Sequence, residues 1–277
     1  DGLLQVARNR FGATVQIANP RQVIWAGVEG QQAAPRLADE CMVIDGANKW
    51  LLLSDSATGE WLYDESLICF GGSVSGNAAG VPTQGIGADF CENETAAGMP
   101  YLRVTSGAAT VFADADGNFV INPGAGTITA TPSGMWFEVF NFLGPVETVS
   151  VPATTPADLL FNSANSSELV RAQTNAYIEA NRVRDYTLQY NPAYPDLQDT
   201  DFPVTVNRTD GFCPRNAWYD SGDQSINFCL ALGATPNTAW SSVVHHEYGH
   251  RLVNAPGSGQ GAYGEGMGDV MSLLILD

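Results

Sequence analysis

A mixed α+β fold is predicted by three features of this 277-residue chain. Short apolar and β-branched runs broken by turn residues fill its first 155 positions. At Ser166 the pattern switches to the 3.6-residue period of an amphipathic helix. Near the end, in HHEYGH, all three histidines of the chain fall within six positions, His245, His246 and His250.

Composition narrows the function classes. Hydrophobic residues make up 44% of the chain, enough for real cores, and no apolar run reaches the roughly 18 residues of a membrane span. Twelve basic against thirty acidic residues give a formal charge of −18. Such a chain repels nucleic acid and anionic membrane surfaces, which argues against both as partners. Only 15% of residues are charged, so this is an acidic folded protein and not a disordered tail. The chain opens on Asp1 with no signal-peptide pattern after it, and a processed start is expected. Abundant Gly, Asn, Thr and Ser, scarce Lys, and cysteines without CxxC spacing point to a secreted, extracellular protein with disulfides.

Residues 1–72 contain VIWAGVE, KWLLLSDSATGEWLY and ESLICF, which read as strands. Residues 73–155 are richer in Gly, Thr and Val, and their alternation predicts a small β-sandwich domain. Within it Asp114 to Gly117, DADG, is a candidate calcium loop; it lacks the remaining ligands of an EF-hand, and a hairpin turn using Asp-Gly is favoured. Residues 156–277 form the third segment. Its first helix, capped by Ser166 or Ser167, places Leu169, Gln173, Ala176, Ala180 and Val183 on one face and Arg171, Asn175, Glu179 and Arg182 on another. FPVTVNRT reads as a strand. NAWYDSGDQSINF reads as a hairpin, and symmetry about Ser221 sets Cys213 opposite Cys229, which predicts a disulfide between them. Cys41, Cys69 and Cys91 leave one cysteine over. Sequons begin at Asn93, Asn165 and Asn207. A helix is expected from about Thr238 to Asn254, stopped by Pro256 and Gly257, and another from near Gly264.

The chemistry concentrates on these last helices. His246 and His250 are four residues apart, so both imidazoles project from one helical face, where zinc takes two ring nitrogens at about 2.0–2.1 Å. Glu247 lies about 100° around the helix and can reach a water beside the metal as general base. Glu265 follows His250 after fourteen intervening residues and supplies the third ligand; Asp269, one turn on, orients a ligand histidine through its other ring nitrogen. His245 is read as a packed or solvated neighbour.

HEYGH followed by GEGMGD resembles the gluzincin metallopeptidases, above all their fungalysin branch, and more distantly thermolysin. AQTNAYIEANRVRDY is similar to the helix preceding the site in that branch, and NAWY to the edge strand that holds the substrate backbone. LLLSDSATGEWLYDESLI resembles the end of the PepSY-like pro-region of secreted metallopeptidases. The resemblance covers about residues 165–277, with an echo at 45–72. It implies a PepSY-like α/β remnant ahead of a thermolysin-like subdomain. It also implies one zinc ion on His246, His250 and Glu265, catalysis by Glu247, and contact of Asn216 and Ala217 with a peptide main chain. Members of the family stabilise the oxyanion with a His or Tyr from a later domain; Tyr263 is the local candidate. Leu273 to Asp277 is apolar with no stop signal, and a C-terminal, mostly helical domain is expected beyond it. The function implied is that of a secreted zinc endopeptidase acting on protein or peptide substrates. The alternatives are a non-catalytic surface or matrix binding protein that keeps the fold, and a latent precursor.

Overall fold

The computed structural model describes residues 2–28, 31–45, 48–67, 73–83, 94–198 and 200–276. Cys69, Cys91 and Asn93 lie outside the described residues. The fold is mixed α+β and divides into two compact units, Asp1–Gly72 and Ser73–Asp277.

The first unit begins with helix α1 (Gly2–Phe11). Strands β1 (Gln16–Val28), β2 (Gln31–Asp45), β3 (Asn48–Asp55) and β4 (Trp61–Ser66) follow as an antiparallel meander in that order. The strand reading of this segment overlooked α1. Its Leu3, Val6, Ala7 and Phe11 recur at helical spacing and close a small core with Val15, Cys41, Val43 and Leu52. The β3–β4 turn is specified by chemistry: Asp55 Oδ1 accepts the N–H groups of Ala57 and Thr58 at 2.8 and 2.9 Å. Cys41 is a buried free thiol, and burial pushes its pKa up to about 11.

The second unit starts with β5 (Val74–Gly80), β6 (Ala97–Gly98), β7 (Leu102–Ser106), β8 (Ala109–Phe112) and β9 (Asn118–Ile121). It continues with β10 (Thr127–Gly134), β11 (Phe137–Asn141), β12 (Val149–Pro152) and β13 (Leu159–Phe161). Helix α2 (Glu168–Tyr190) precedes β14 (Phe202–Arg208), β15 (Ala217–Asp220) and β16 (Ser225–Cys229). Helices α3 (Ser241–Asn254) and α4 (Ala262–Leu276) complete it. One sheet has the order β15-β16-β14-β11-β10-β7-β8, with β12 also on β10; a smaller one has the order β13-β5-β6, with β9 also on β5.

Residues 73–155 are therefore not a β-sandwich domain of their own, and no break falls at 155. β11 pairs in parallel with β14, Phe137 to Asn141 opposite Phe202 to Val206. A single core runs from Val74 through Tyr177 to Met271. Alternation along a strand reveals which face is buried, but not which later strand supplies the next hydrogen-bonded partner. The DADG stretch is a turn. The Asp114 carboxylate accepts backbone N–H groups of Asp116 and Asn118 at 2.9 and 2.8 Å and the Asn118 amide at 3.2 Å, so it is engaged in its own loop.

Helix α2 departs from its predicted amphipathicity. Two members of its expected polar face, Asn175 and Glu179, are buried, each with a distant partner, whereas Arg171 is half-buried and Arg182 exposed. Asn175 accepts the Thr83 N–H at 2.7 Å, and Glu179 takes Arg182 on one side and His245 on the other. Ser167 occupies the N-cap position without a side-chain capping bond. The sequon at Asn207 is closed off: its fully buried amide donates to Asn141 and to the Leu169 carbonyl at 2.9 and 3.0 Å. No helix among the described residues is long and apolar enough to cross a membrane.

Candidate metal centre

Helix α3 carries the site because its two sides differ. Val244, Tyr248 and Leu252, four residues apart, anchor it in the core, where Tyr248 packs edge-on against Phe137 and Phe202 with ring centroids 5.4 and 5.5 Å away. His246 and His250 leave the opposite side with ring centroids 5.0 Å apart. Helix α4 crosses at very short range. A Cβ on Gly249 would lie 2.7 Å from the Gly268 Cα, and one on Gly268 would lie 2.8 Å from His246 Nδ1. Gly249, costly inside a helix, is explained by that approach.

The crossing delivers Glu265 to both rings. Its Oε2 is 3.2 Å from His246 Nε2 and its Oε1 is 3.7 Å from His250 Nε2. One ligand atom from each of the three residues can be chosen so that all lie within 4.8 Å of one another. Tetrahedral zinc with bonds near 2.0–2.2 Å separates its ligand atoms by roughly 3.3 Å, so the donor set fits that ion. Among the described residues this is the one group of three or more His, Cys, Asp or Glu side chains so arranged. The ligand side stays open, with the Glu265 side chain 66% exposed. The remaining ring nitrogens are held from outside: His246 Nδ1 by Asp269 Oδ1 at 3.0 Å, and His250 Nδ1 by Gln260 Oε1 at 2.9 Å.

Glu247 sits beside the donors and is nearly buried. Burial pushes its pKa up to about 7, and the Glu265 charge adds to the rise. Neighbouring His246 and the Tyr219 backbone N–H, which donates to the carboxylate, pull the other way. A cation held by the three ligands would favour the ionised form further.

Strand β15 borders the site. It ends its sheet, so its edge away from β16 has no ladder partner among the described strands. Clefts of about 440 and 500 Å³ flank the site, and Asn216, Ala217, His246 and Glu247 line both. Phe212 and Trp218 wall the first; Arg215 and Val243 lie on the second. The Cys213–Cys229 disulfide fastens the approach to β15, with Cα atoms 5.5 Å apart. The pairing matches expectation, but the hairpin register does not. Ala217 faces Phe228 and Asp220 faces Ser225, so symmetry runs between Gly222 and Asp223 rather than through Ser221. Cys229 accordingly lies against Asn216, its N–H donating to the Asn216 carbonyl at 3.2 Å, and Cys213 reaches it from the preceding loop.

The structure brings His246, Glu247, His250, Glu265, Asp269, Asn216 and Ala217 to one place. Tyr263 is not brought there: it lines neither cleft and is 63% exposed. His245 is fully buried, with Nε2 2.7 Å from Glu179 Oε2. Sequence reasoning missed Gln260 and the Tyr219 N–H. The rule that ligand histidines are anchored through their second nitrogen calls for a partner to His250, and the glycine-rich GSGQG loop offers two side chains able to accept, Ser258 and Gln260. No family model, curated protein or solved structure matches this chain.

Proposed function

We propose that this chain carries the active site of a zinc-dependent endopeptidase, with His246, His250 and Glu265 as ligands and Glu247 as general base. The observation that carries the reading is the convergence of three ligand atoms beside a buried carboxylate and an open strand edge. A zinc ion bound there would supply Lewis-acid polarisation and an acidified water. Glu247 takes a proton at its carboxylate and returns it to the leaving amine. β15 receives an extended peptide along its free edge by main-chain hydrogen bonds, with Asn216 and Ala217 at the scissile position. The clefts on either side of Glu247 accept the flanking side chains. The disulfide supports an oxidising, extracellular setting.

Turnover of an unfolded, casein-type protein by the full-length protein tests the reading. Glu247→Gln should lower kcat by about 10²–10⁴-fold while the metal stays bound. A metal-loaded, full-length wild type that cleaves nothing would overturn catalysis in favour of a binding role.

A further inference from the structure

We infer that Gln260 is a positioning residue that selects the ring tautomer of His250 and thereby fixes its metal-binding nitrogen; this rests on the reading of His250 as a ligand. The Gln260 amide is clamped at both ends by the same residue. Its Nε2 donates to the His250 backbone carbonyl at 3.0 Å, and its Oε1 lies 2.9 Å from His250 Nδ1. The first bond sets the direction of the amide. A flipped amide would set oxygen against carbonyl oxygen and NH₂ against the ring nitrogen it now accepts from. With Oε1 facing Nδ1, that nitrogen carries the hydrogen, and the Nε2 lone pair points toward Glu265 Oε1, 3.7 Å away.

The two ligand histidines are thus held by different chemistry. His246 leans on a carboxylate, Asp269, whereas His250 leans on a neutral amide. Glu247, Glu265 and Asp269 already gather three acids beside the two rings. An amide orients the second ring without adding a fourth negative charge. Gly264 leaves the room for it. A Cβ there would stand 2.4 Å from Gln260 Oε1 and 3.1 Å from His250 Nδ1. Gly264 lies in the first turn of α4 at negative φ, so alanine suits its backbone, and its methyl would displace the amide and crowd the His250 ring edge that the amide holds.

The test is a zinc titration of the full chain against a competing chelator, beside the thermal midpoint of each metal-free variant. Gln260→Ala should weaken zinc binding about 10–100-fold. Gln260→Glu, which keeps an acceptor at Nδ1 but loses the donor to the His250 carbonyl, should recover part of the loss. Gly264→Ala should weaken binding like Gln260→Ala with the metal-free midpoint held or raised. In metal-free protein at alkaline pH, nitrogen-15 NMR of the histidine rings should show the Nδ1–H tautomer of His250 in wild type and its loss in Gln260→Ala. Wild-type affinity in Gln260→Ala would overturn the inference while leaving the metal site standing. So would equal losses in the Ala and Glu variants that track a fall in midpoint, which mark a merely structural loop. A wild type that takes up no zinc removes the metal reading and this inference with it; an unchanged His250 tautomer in Gln260→Ala removes the inference alone.

Discussion

The two sides of helix α3 use the same residue type for opposite ends. On the inner side His245 is sealed in the core, its Nε2 closed by Glu179, which Arg182 also grips at 2.9 and 3.0 Å. On the outer side His246 and His250 turn their Nε2 atoms toward a third donor that is mostly exposed. Both sides pair histidine with glutamate. What separates them is closure: the inner pair has no room for an ion or a substrate, whereas the outer set opens onto two clefts. A histidine–carboxylate contact is thus a structural tie when sealed and a candidate site when its donor atoms face each other across open space.

Three variants break or sharpen that contrast. Glu179→Ala leaves the buried His245 ring, whose Nδ1 already lacks a hydrogen-bond partner, without one at Nε2. Leaving a buried hydrogen-bonding group without its partner costs about 1–3 kcal/mol. Urea unfolding should show that loss, while the protein that remains folded keeps its metal; metal loss without destabilisation would erase the distinction between the two sides. Replacing Cys213 and Cys229 by alanine opens a loop with a sequence separation of 16. This should lower stability by about 3 kcal/mol, read as a shift in denaturation midpoint. Gly249→Ala presses a methyl group against Gly268 and should cost about 1–3 kcal/mol. Because it pushes α4 away, it should also weaken metal binding, whereas Glu179→Ala should not.

Much of the outer site was legible because its signals are local. HExxH spacing aligns two rings on any helix, and Glu265 with Asp269 repeats the same one-turn logic on α4. The Cys213–Cys229 pairing was also legible, although the register argued for it was displaced. The inner side was not legible. Glu179 and Asn175 look solvated in a helical projection, and only partners 66 and 92 residues away make their burial tolerable. The same distance hid the junction of β11 with β14, which turned an expected sandwich into part of a larger sheet. Gln260 escaped notice because a glutamine in a glycine-rich loop carries no periodic signal; its meaning comes from where the turn sets it.

The central claim is that His246, His250 and Glu265 form one metal site. Its most direct test is elemental analysis of the purified chain, reconstituted with zinc at neutral pH, beside His250→Ala and Glu265→Ala. About one zinc per wild-type chain, lost in both variants, is the predicted result. No zinc in folded wild type, or zinc retained equally in both variants, would contradict it.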